Sequence, residues 1–182
     1  MIDEVLDMFP SKEELLTLSG FFFYNRARLT RLIGDVSVVQ QIAKELVNRK
    51  NVVTDENARS LVELGHLALQ QGDLAQAQAY FREGLHTYLE GPVYFGADTI
   101  FDALALLAAR QKWYDLAIRL FGSRWCRGYA NLLSPIEKEW REGDWTAMRE
   151  ALGEERFEAL YEEGQSITFQ QFIELVQAVL DG

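Results

Sequence analysis

The sequence has little cysteine, histidine or proline. Of its 182 residues one is a cysteine, Cys126, two are histidines and three are prolines. A lone cysteine excludes an intrachain disulfide and a cysteine-rich zinc site. His66 and His86 lack the four-residue spacing that places two imidazoles on one side of a metal ion. We therefore expect no metal, no cofactor and a reducing cytoplasm as the compartment.

Basic residues and long apolar runs are also scarce. The chain has 18 Lys and Arg against 28 Asp and Glu, for a net charge of −10. This charge opposes attraction to nucleic acid, because proteins gain phosphate affinity by releasing counterions with Lys and Arg. Residues 1–10 lack the basic start and apolar run of a signal peptide, and no window has the length of a membrane-spanning helix. We expect neither direct nucleic-acid binding nor membrane association.

Apolar residues recur instead at the spacing of an α-helix. They return every three or four positions from Leu61 until Gln71-Gly72-Asp73 interrupts the pattern, and again from Ala77 to Leu85. The pattern predicts helices over about 54–70 and 74–89, and the short turn makes them antiparallel. No stretch alternates convincingly as a β-strand would.

The predicted helix pair is repeated along the chain. Ala77 and Phe81 correspond to Ala117 and Phe121, forty residues later, and Leu32-Ile33-Gly34-Asp35 indicates an earlier, divergent unit. Each pair buries only one face and needs neighbouring helix pairs to cover its other sides, as in helical-repeat proteins. The sequence thus predicts an all-α fold, an α-α superhelix of about three antiparallel helix pairs with a C-terminal helical cap.

We assign residues 1–182 to a single helical-repeat domain. Residues 1–53 form the divergent first unit, 54–91 the second, 92–123 the third and 124–182 an acidic helical cap. Between 134 and 164 ten acids stand against four bases. Ser11 with Glu14, Ser134 with Glu137, and Thr168 with Gln171 have the form of capping boxes, so helices should begin there.

The second unit carries a family resemblance. Leu61, Leu64-Gly65, Ala68, Gly72-Asp73, Ala77, Phe81 and Leu85 resemble a tetratricopeptide repeat. The forty-residue spacing, with Leu120-Phe121-Gly122 and Ala151-Leu152-Gly153-Glu154 in the tail, is similar to the C-terminal sensor region of LuxR-type and maltose-regulator-like STAND ATPases and transcriptional regulators. The resemblance covers about 57–180 and implies a fragment or stand-alone derivative of such a regulator. The chain has neither a phosphate-binding loop nor a recognisable DNA-reading module.

This resemblance implies a protein-interaction or ligand-sensing module in signal transduction and transcription regulation. We expect no catalytic residues, and a protein, a peptide or an anionic small ligand as the partner. Two alternatives remain: a structural subunit of a homo-oligomer, and a small all-helical enzyme whose site is assembled from separate helices. A deep pocket that gathers His66 with Asp102 or Cys126 would favour the enzyme, and a shallow groove would favour binding.

The candidate binding residues follow from the tetratricopeptide register, in which the first helix of each pair lines a concave groove. They are Tyr24, Arg28, Arg31, Arg59, Val62, His66, Asp102 and Arg110. The arginines predict a basic groove suited to carboxylate or phosphate. The alternative is that these arginines are solvated and paired with nearby acids.

Three further features have competing interpretations. Phe21 and Phe22 belong to a run of four aromatic residues, which predicts either an interface or burial between neighbouring helices. Arg124 and Arg127 flank Cys126 and could favour its thiolate, although no base is indicated for catalysis. Glu137, Glu139, Glu142 and Asp144 look like paired acids for general acid-base catalysis, but they are more simply the solvated face of a charged helix.

Overall fold

Helices make up the part of the chain that the structure describes. A computed structural model describes residues 54–90, 97–126 and 133–182, together with residues 28, 31, 32 and 41. These ranges contain no β-strand. The all-helical fold class is therefore confirmed, while the superhelix remains a prediction.

The helices follow one another in short hairpins. Their bounds are α1 Thr54–Gln70, α2 Leu74–Glu90, α3 Ala97–Arg110, α4 Tyr114–Gly122, α5 Pro135–Leu152, α6 Glu154–Ser166 and α7 Phe169–Asp181. The first two agree with the sequence prediction to within one residue. Gln111-Lys112 forms the turn between α3 and α4, as Gln71-Gly72 does between α1 and α2.

The turns after α1 and α3 have the same backbone geometry, forty residues apart. Gly72 and Lys112 both adopt a positive φ, of 77° and 64°. The equivalent amides close both turns, from Asp73 to Ala68 O and from Trp113 to Ala108 O, each at 2.9 Å. The forty-residue register read from the sequence is thus present in the backbone of these two hairpins.

The first helices of the hairpins pack side by side. Helix α3 contacts α1, α2, α4, α5 and α7, and it is buried along most of its length. Its alanines allow this close packing, because Ala103, Ala105 and Ala108 are fully buried with little volume. Helix α3 is therefore the central element against which the other helices are positioned.

The capping boxes predicted in the tail are confirmed. The Ser134 hydroxyl accepts from the Glu137 amide at 3.3 Å, and Glu137 accepts from the Ser134 amide at 2.9 Å. Thr168 and Gln171 form the same reciprocal pair at the start of α7. These bonds satisfy backbone amides that a helix start otherwise leaves open.

Helix α7 packs its apolar face against the core. Phe172, Val176, Val179 and Leu180 are buried, whereas Phe169 is exposed. Phe172 packs edge-on against Phe101 of α3 at 4.8 Å between ring centroids. No described helix is both long enough and apolar enough to pass through a bilayer.

Helices α4 and α6 cross where each has a glycine. A Cβ atom added at Gly122 would overlap the Tyr161 carbonyl oxygen, and one added at Gly164 would overlap the Arg119 carbonyl oxygen. Only the absence of a side chain at both positions lets the two backbones approach this closely.

We predict that Gly122→Ala and Gly164→Ala each lower the free energy of unfolding by about 1–3 kcal/mol, because the added methyl forces the helices apart. Urea unfolding followed by circular dichroism measures the change. Gly143→Ala is the control, since nothing lies within 4 Å of a Cβ there. It should raise stability by about 0.5–1 kcal/mol, as alanine is the better helix former. Equal effects at the three positions would contradict the close crossing.

Candidate functional site

A cavity of about 360 Å³ opens between α1, α3 and α5. Its walls combine charged side chains with leucines and a tryptophan. The lining residues are Arg31, His66, Leu69, Gln70, Asp102, Leu106, Arg110, Leu133, Glu137, Trp140, Arg141 and Asp144. The volume lies at the lower end of the roughly 300–1,000 Å³ typical of small-molecule pockets.

The cavity has a buried floor and an exposed mouth. We define the floor as Arg31, His66, Asp102 and Glu137, all of which are buried. We define the mouth as Gln70 and Arg110, which are exposed, with the partly exposed Asp144. Helices α1 and α3 end at the mouth, so their partly negative carboxyl ends lie there.

Glu137 joins the first unit of the chain to α5. Its carboxylate accepts from Arg31 Nη2 and from Arg28 Nη2, each at 2.7 Å. Although burial by itself raises the pKa of Glu137, hydrogen bonds from Arg28 and Ser134 lower it to about 2. Glu137 is therefore ionised at neutral pH and holds both arginines.

Arg31 has a second buried partner. Its Nε donates to Glu63 Oε2 at 2.6 Å, and the Glu63 side chain has no exposed surface. Burial by itself lowers the pKa of Arg31, but the Glu63 and Glu137 carboxylates raise it. The Arg31 guanidinium also lies 5.9 Å from the Trp140 ring centroid. Arg31 therefore connects α1 to α5 at the floor of the cavity.

Asp102 and Arg141 form a bidentate ion pair between α3 and α5. The Arg141 Nη1 and Nη2 atoms lie 2.9 and 2.5 Å from the two Asp102 oxygens, and the Asp102 side chain is 1% exposed. Burial raises the pKa of Asp102, and Arg141 opposes that rise. The Arg141 guanidinium also lies 4.6 Å from the Phe121 ring centroid. A carboxylate this deeply buried requires such a partner.

The ion pair at the mouth is more accessible. Arg110 Nε lies 2.7 Å from Asp144 Oδ1, with the Arg110 side chain 41% exposed. An ion pair in contact with water contributes roughly 0–1 kcal/mol to stability. This pair can therefore open at little cost, unlike the pairs of the floor.

His66 is a neutral side chain at the floor. Burial lowers its pKa well below 6.5, and the nearby Arg31 charge lowers it further. Its ring meets Phe81 edge-on, at 5.7 Å between centroids. Although the cavity gathers His66 with Asp102, no hydrogen bond joins the two among the residues that the structure describes.

Only some of the predicted groove residues line the cavity. Arg31, His66, Asp102 and Arg110 line the cavity together, and Arg28 lies behind it, bonded to Glu137. Arg59 is half-buried and outside the lining, while Val62 is buried in the core. Tyr24, Phe21 and Phe22 lie outside the described residues, as do the capping box at Ser11 and most of the divergent first unit.

The expectation of a basic groove has to be corrected. Arg31, Arg110 and Arg141 of the walls are paired with Glu137, Asp144 and Asp102. Within the described lining, three arginines therefore stand against three carboxylates, and the positive and negative charges balance. The physical reason is that arginines on neighbouring helices in a half-enclosed cavity need counter-charges, which α3 and α5 supply.

Two interpretations of single residues were also wrong. Burial raises the pKa of the Cys126 thiol, despite the flanking arginines, so a neutral thiol replaces the expected thiolate. Glu137 is not on the solvated face of its helix but buried in ion pairs, whereas Glu139 and Glu142 are exposed as expected.

The candidate list omitted the contribution of α5. Glu137, Trp140, Arg141 and Asp144 face the cavity from that helix, and Glu63 completes the network from α1. The spacing of three, four and seven residues within α5 places its four residues on one face, which is the available sequence signal. It was hidden by the many other charges of the acidic cap.

Comparisons with protein-family models, characterised proteins and solved structures find no match to this chain. The tetratricopeptide and STAND-regulator resemblance accordingly rests on the residues that suggested it. Among the described residues, no cluster of three or more His, Cys, Asp or Glu is arranged to hold a metal ion.

We predict that Arg141→Met lowers the free energy of unfolding by about 3–5 kcal/mol, because it leaves the buried Asp102 carboxylate without a partner. Arg110→Met is the matched control in the same cavity. It should cost about 0–1 kcal/mol, since the pair at the mouth is in contact with water. Chemical unfolding of both variants measures the difference, and similar losses would contradict the distinction between floor and mouth.

We also predict an acid-dependent contribution from Glu137. Its pKa is about 2 in the folded chain against an ordinary 4.5. Its contribution is therefore fully present above about pH 4.5 and is lost as the pH falls towards 2. The difference in unfolding free energy between the wild type and Glu137→Gln should shrink over that window. The part of the difference that is lost over this window is at most about 3 kcal/mol, at about 1.36 kcal/mol per pKa unit.

Glu139→Gln serves as the control for the loss of a charge from the same helix, because Glu139 is exposed. Unfolding in urea at a series of pH values gives both differences. A Glu137→Gln difference that stays constant from neutral pH to pH ~2 would refute the assigned role of this carboxylate.

Proposed function

We propose that this protein is a non-catalytic, helical-repeat binding module that takes a small ligand or the side chain of a partner protein into the cavity between α1, α3 and α5. One observation carries the proposal: the first helices of three successive hairpins each contribute both polar and apolar side chains to one half-enclosed cavity. Pockets of this kind, with apolar walls and a few convergent polar groups, are the default site of ligand binding.

The forty-residue register of the hairpins supports a repeat architecture. In a superhelix of antiparallel pairs the first helices share the concave side. The lining of one cavity by Leu69 of α1, Leu106 of α3 and Trp140 of α5 is consistent with such an arrangement. We further propose that the module senses a ligand within a signalling or transcription-regulatory protein of the STAND type. The residues of the second unit and of the tail, which resemble such regulators, motivate this second step.

A small all-helical enzyme is the second candidate, and one observation favours it. The cavity holds both His66 and Asp102, and a neutral imidazole can accept a proton. We place binding first because both oxygens of Asp102 are bonded to Arg141, so this carboxylate does not orient His66. Cys126 offers no thiolate as a nucleophile.

Filling the cavity tests the proposal. Leu106→Trp places a large ring in it, whereas Leu89→Trp adds the same ring at an exposed site on α2. After equilibrium dialysis against a small-molecule extract of the source cells, mass spectrometry should find compounds retained by the wild type and by Leu89→Trp. Leu106→Trp should lose at least about 90% of them, a tenfold loss of affinity.

Circular dichroism and the melting temperature of each variant control for folding. Equal retention by a folded Leu106→Trp variant would contradict a binding role for the cavity, as would no retention by the wild type. Retained compounds should be recovered unchanged. If the wild type converts a retained compound and His66→Gln does not, the protein is instead an enzyme.

A further inference from the structure

We infer that the cavity selects a zwitterionic small molecule, such as a free amino acid with a large apolar side chain, by exchanging partners with the ion pair at its mouth. This inference rests on the proposed binding function and names its ligand class. It follows from the charge balance of the walls, the exposure of one ion pair and the apolar surface beside it.

Charge balance argues against ligands with a net charge. The wall arginines Arg31, Arg110 and Arg141 each have a carboxylate partner within 2.7 Å. Among the wall residues that the structure describes, an added anion would lose its hydration without meeting an uncompensated cation, and an added cation would meet no uncompensated carboxylate. A molecule that brings one charge of each sign adds no net charge.

The mouth pair has the geometry for an exchange. Arg110 Nε and Nη2 donate to the two Asp144 oxygens, at 2.7 and 3.1 Å. A ligand carboxylate can accept the same fork of donors from Arg110, while the ligand ammonium donates to the released Asp144. Helices α1 and α3 end beside this pair, and their carboxyl ends favour the ammonium.

The floor does not compete for the ligand charges. The Arg31 side chain is 4% exposed and the Asp102 side chain 1%, and both are held in ion pairs. Breaking such a pair costs far more than opening one at the surface. The exchange is therefore confined to Arg110 and Asp144.

The cavity wall also has an apolar surface. Leu69, Leu106, Leu133 and the Trp140 ring contribute to it. An apolar or aromatic side chain that enters this space is removed from water, which favours binding by about 25 cal/mol for each Å² buried. The charged end of the ligand then remains at the mouth.

Four probes with the same side chain but different charge test the inference. They are L-phenylalanine, the anion N-acetyl-L-phenylalanine, the cation L-phenylalaninamide and the neutral N-acetyl-L-phenylalaninamide. Isothermal titration calorimetry on the full chain should give a Kd for L-phenylalanine in the millimolar range or tighter, with the other three at least about tenfold weaker.

A double variant identifies the atoms involved. Arg110→Gln with Asp144→Asn should weaken L-phenylalanine binding at least about tenfold, and should bring the four probes to within about threefold of one another. Arg119→Gln with Glu163→Gln removes another exposed ion pair, at 2.7 Å between α4 and α6, and should leave binding unchanged. Both double variants remove only exposed pairs, so the fold is expected to persist.

The remaining outcomes overturn the inference. If N-acetyl-L-phenylalanine binds more tightly than L-phenylalanine, the site prefers anionic ligands. If L-phenylalaninamide binds more tightly, the site prefers cationic ligands. Equal binding of all four probes by the wild type would contradict the proposed exchange of ion-pair partners. Binding that is unchanged in the Arg110→Gln, Asp144→Asn variant would contradict it as well. If L-phenylalanine does not bind while Leu106→Trp still abolishes retention of extract compounds, the ligand class is wrong and the proposed function stands.

Discussion

A carboxylate removed from water has to be paired with a cation, and this requirement holds the site together. Asp102 on α3 and Glu63 on α1 are almost completely buried, and each has an arginine that comes from another part of the chain. Glu137 adds a third carboxylate that accepts from two arginines. Because each partner would be costly to leave alone, the pairs fix how α1, α3 and α5 face each other.

Glu137 has two roles that depend on one another. As the third residue of α5 it caps the helix through Ser134, and as an ion it holds Arg28 and Arg31. The cap fixes where the helix begins, and the helix start fixes where the carboxylate lies. The capping box, a local feature of the helix start, thereby positions the long-range ion pairs of Glu137 with Arg28 and Arg31.

Small residues allow the helices around these ion pairs to pack closely. Alanines along α3 let neighbouring helices approach, and Gly122 with Gly164 does the same for α4 and α6. The tail helices are thus held against the third unit, with Trp145 between Phe121 and Phe157. The cavity lies where α1, α3 and α5 face one another with larger side chains, several of which are charged.

Local patterns in the sequence were sufficient for the first two helices, the starts of α5 and α7 with their capping boxes, and the forty-residue spacing of two equivalent turns. Spacing and capping act within a few residues of chain. They also pointed to His66, Asp102 and Arg110, which share the first-helix face. The pairing of each arginine, the burial of Glu137 and Cys126, and the part of α5 in the cavity were decided by tertiary structure. Each of these depends on how much water remains around a side chain and on which opposite charge another helix brings within reach.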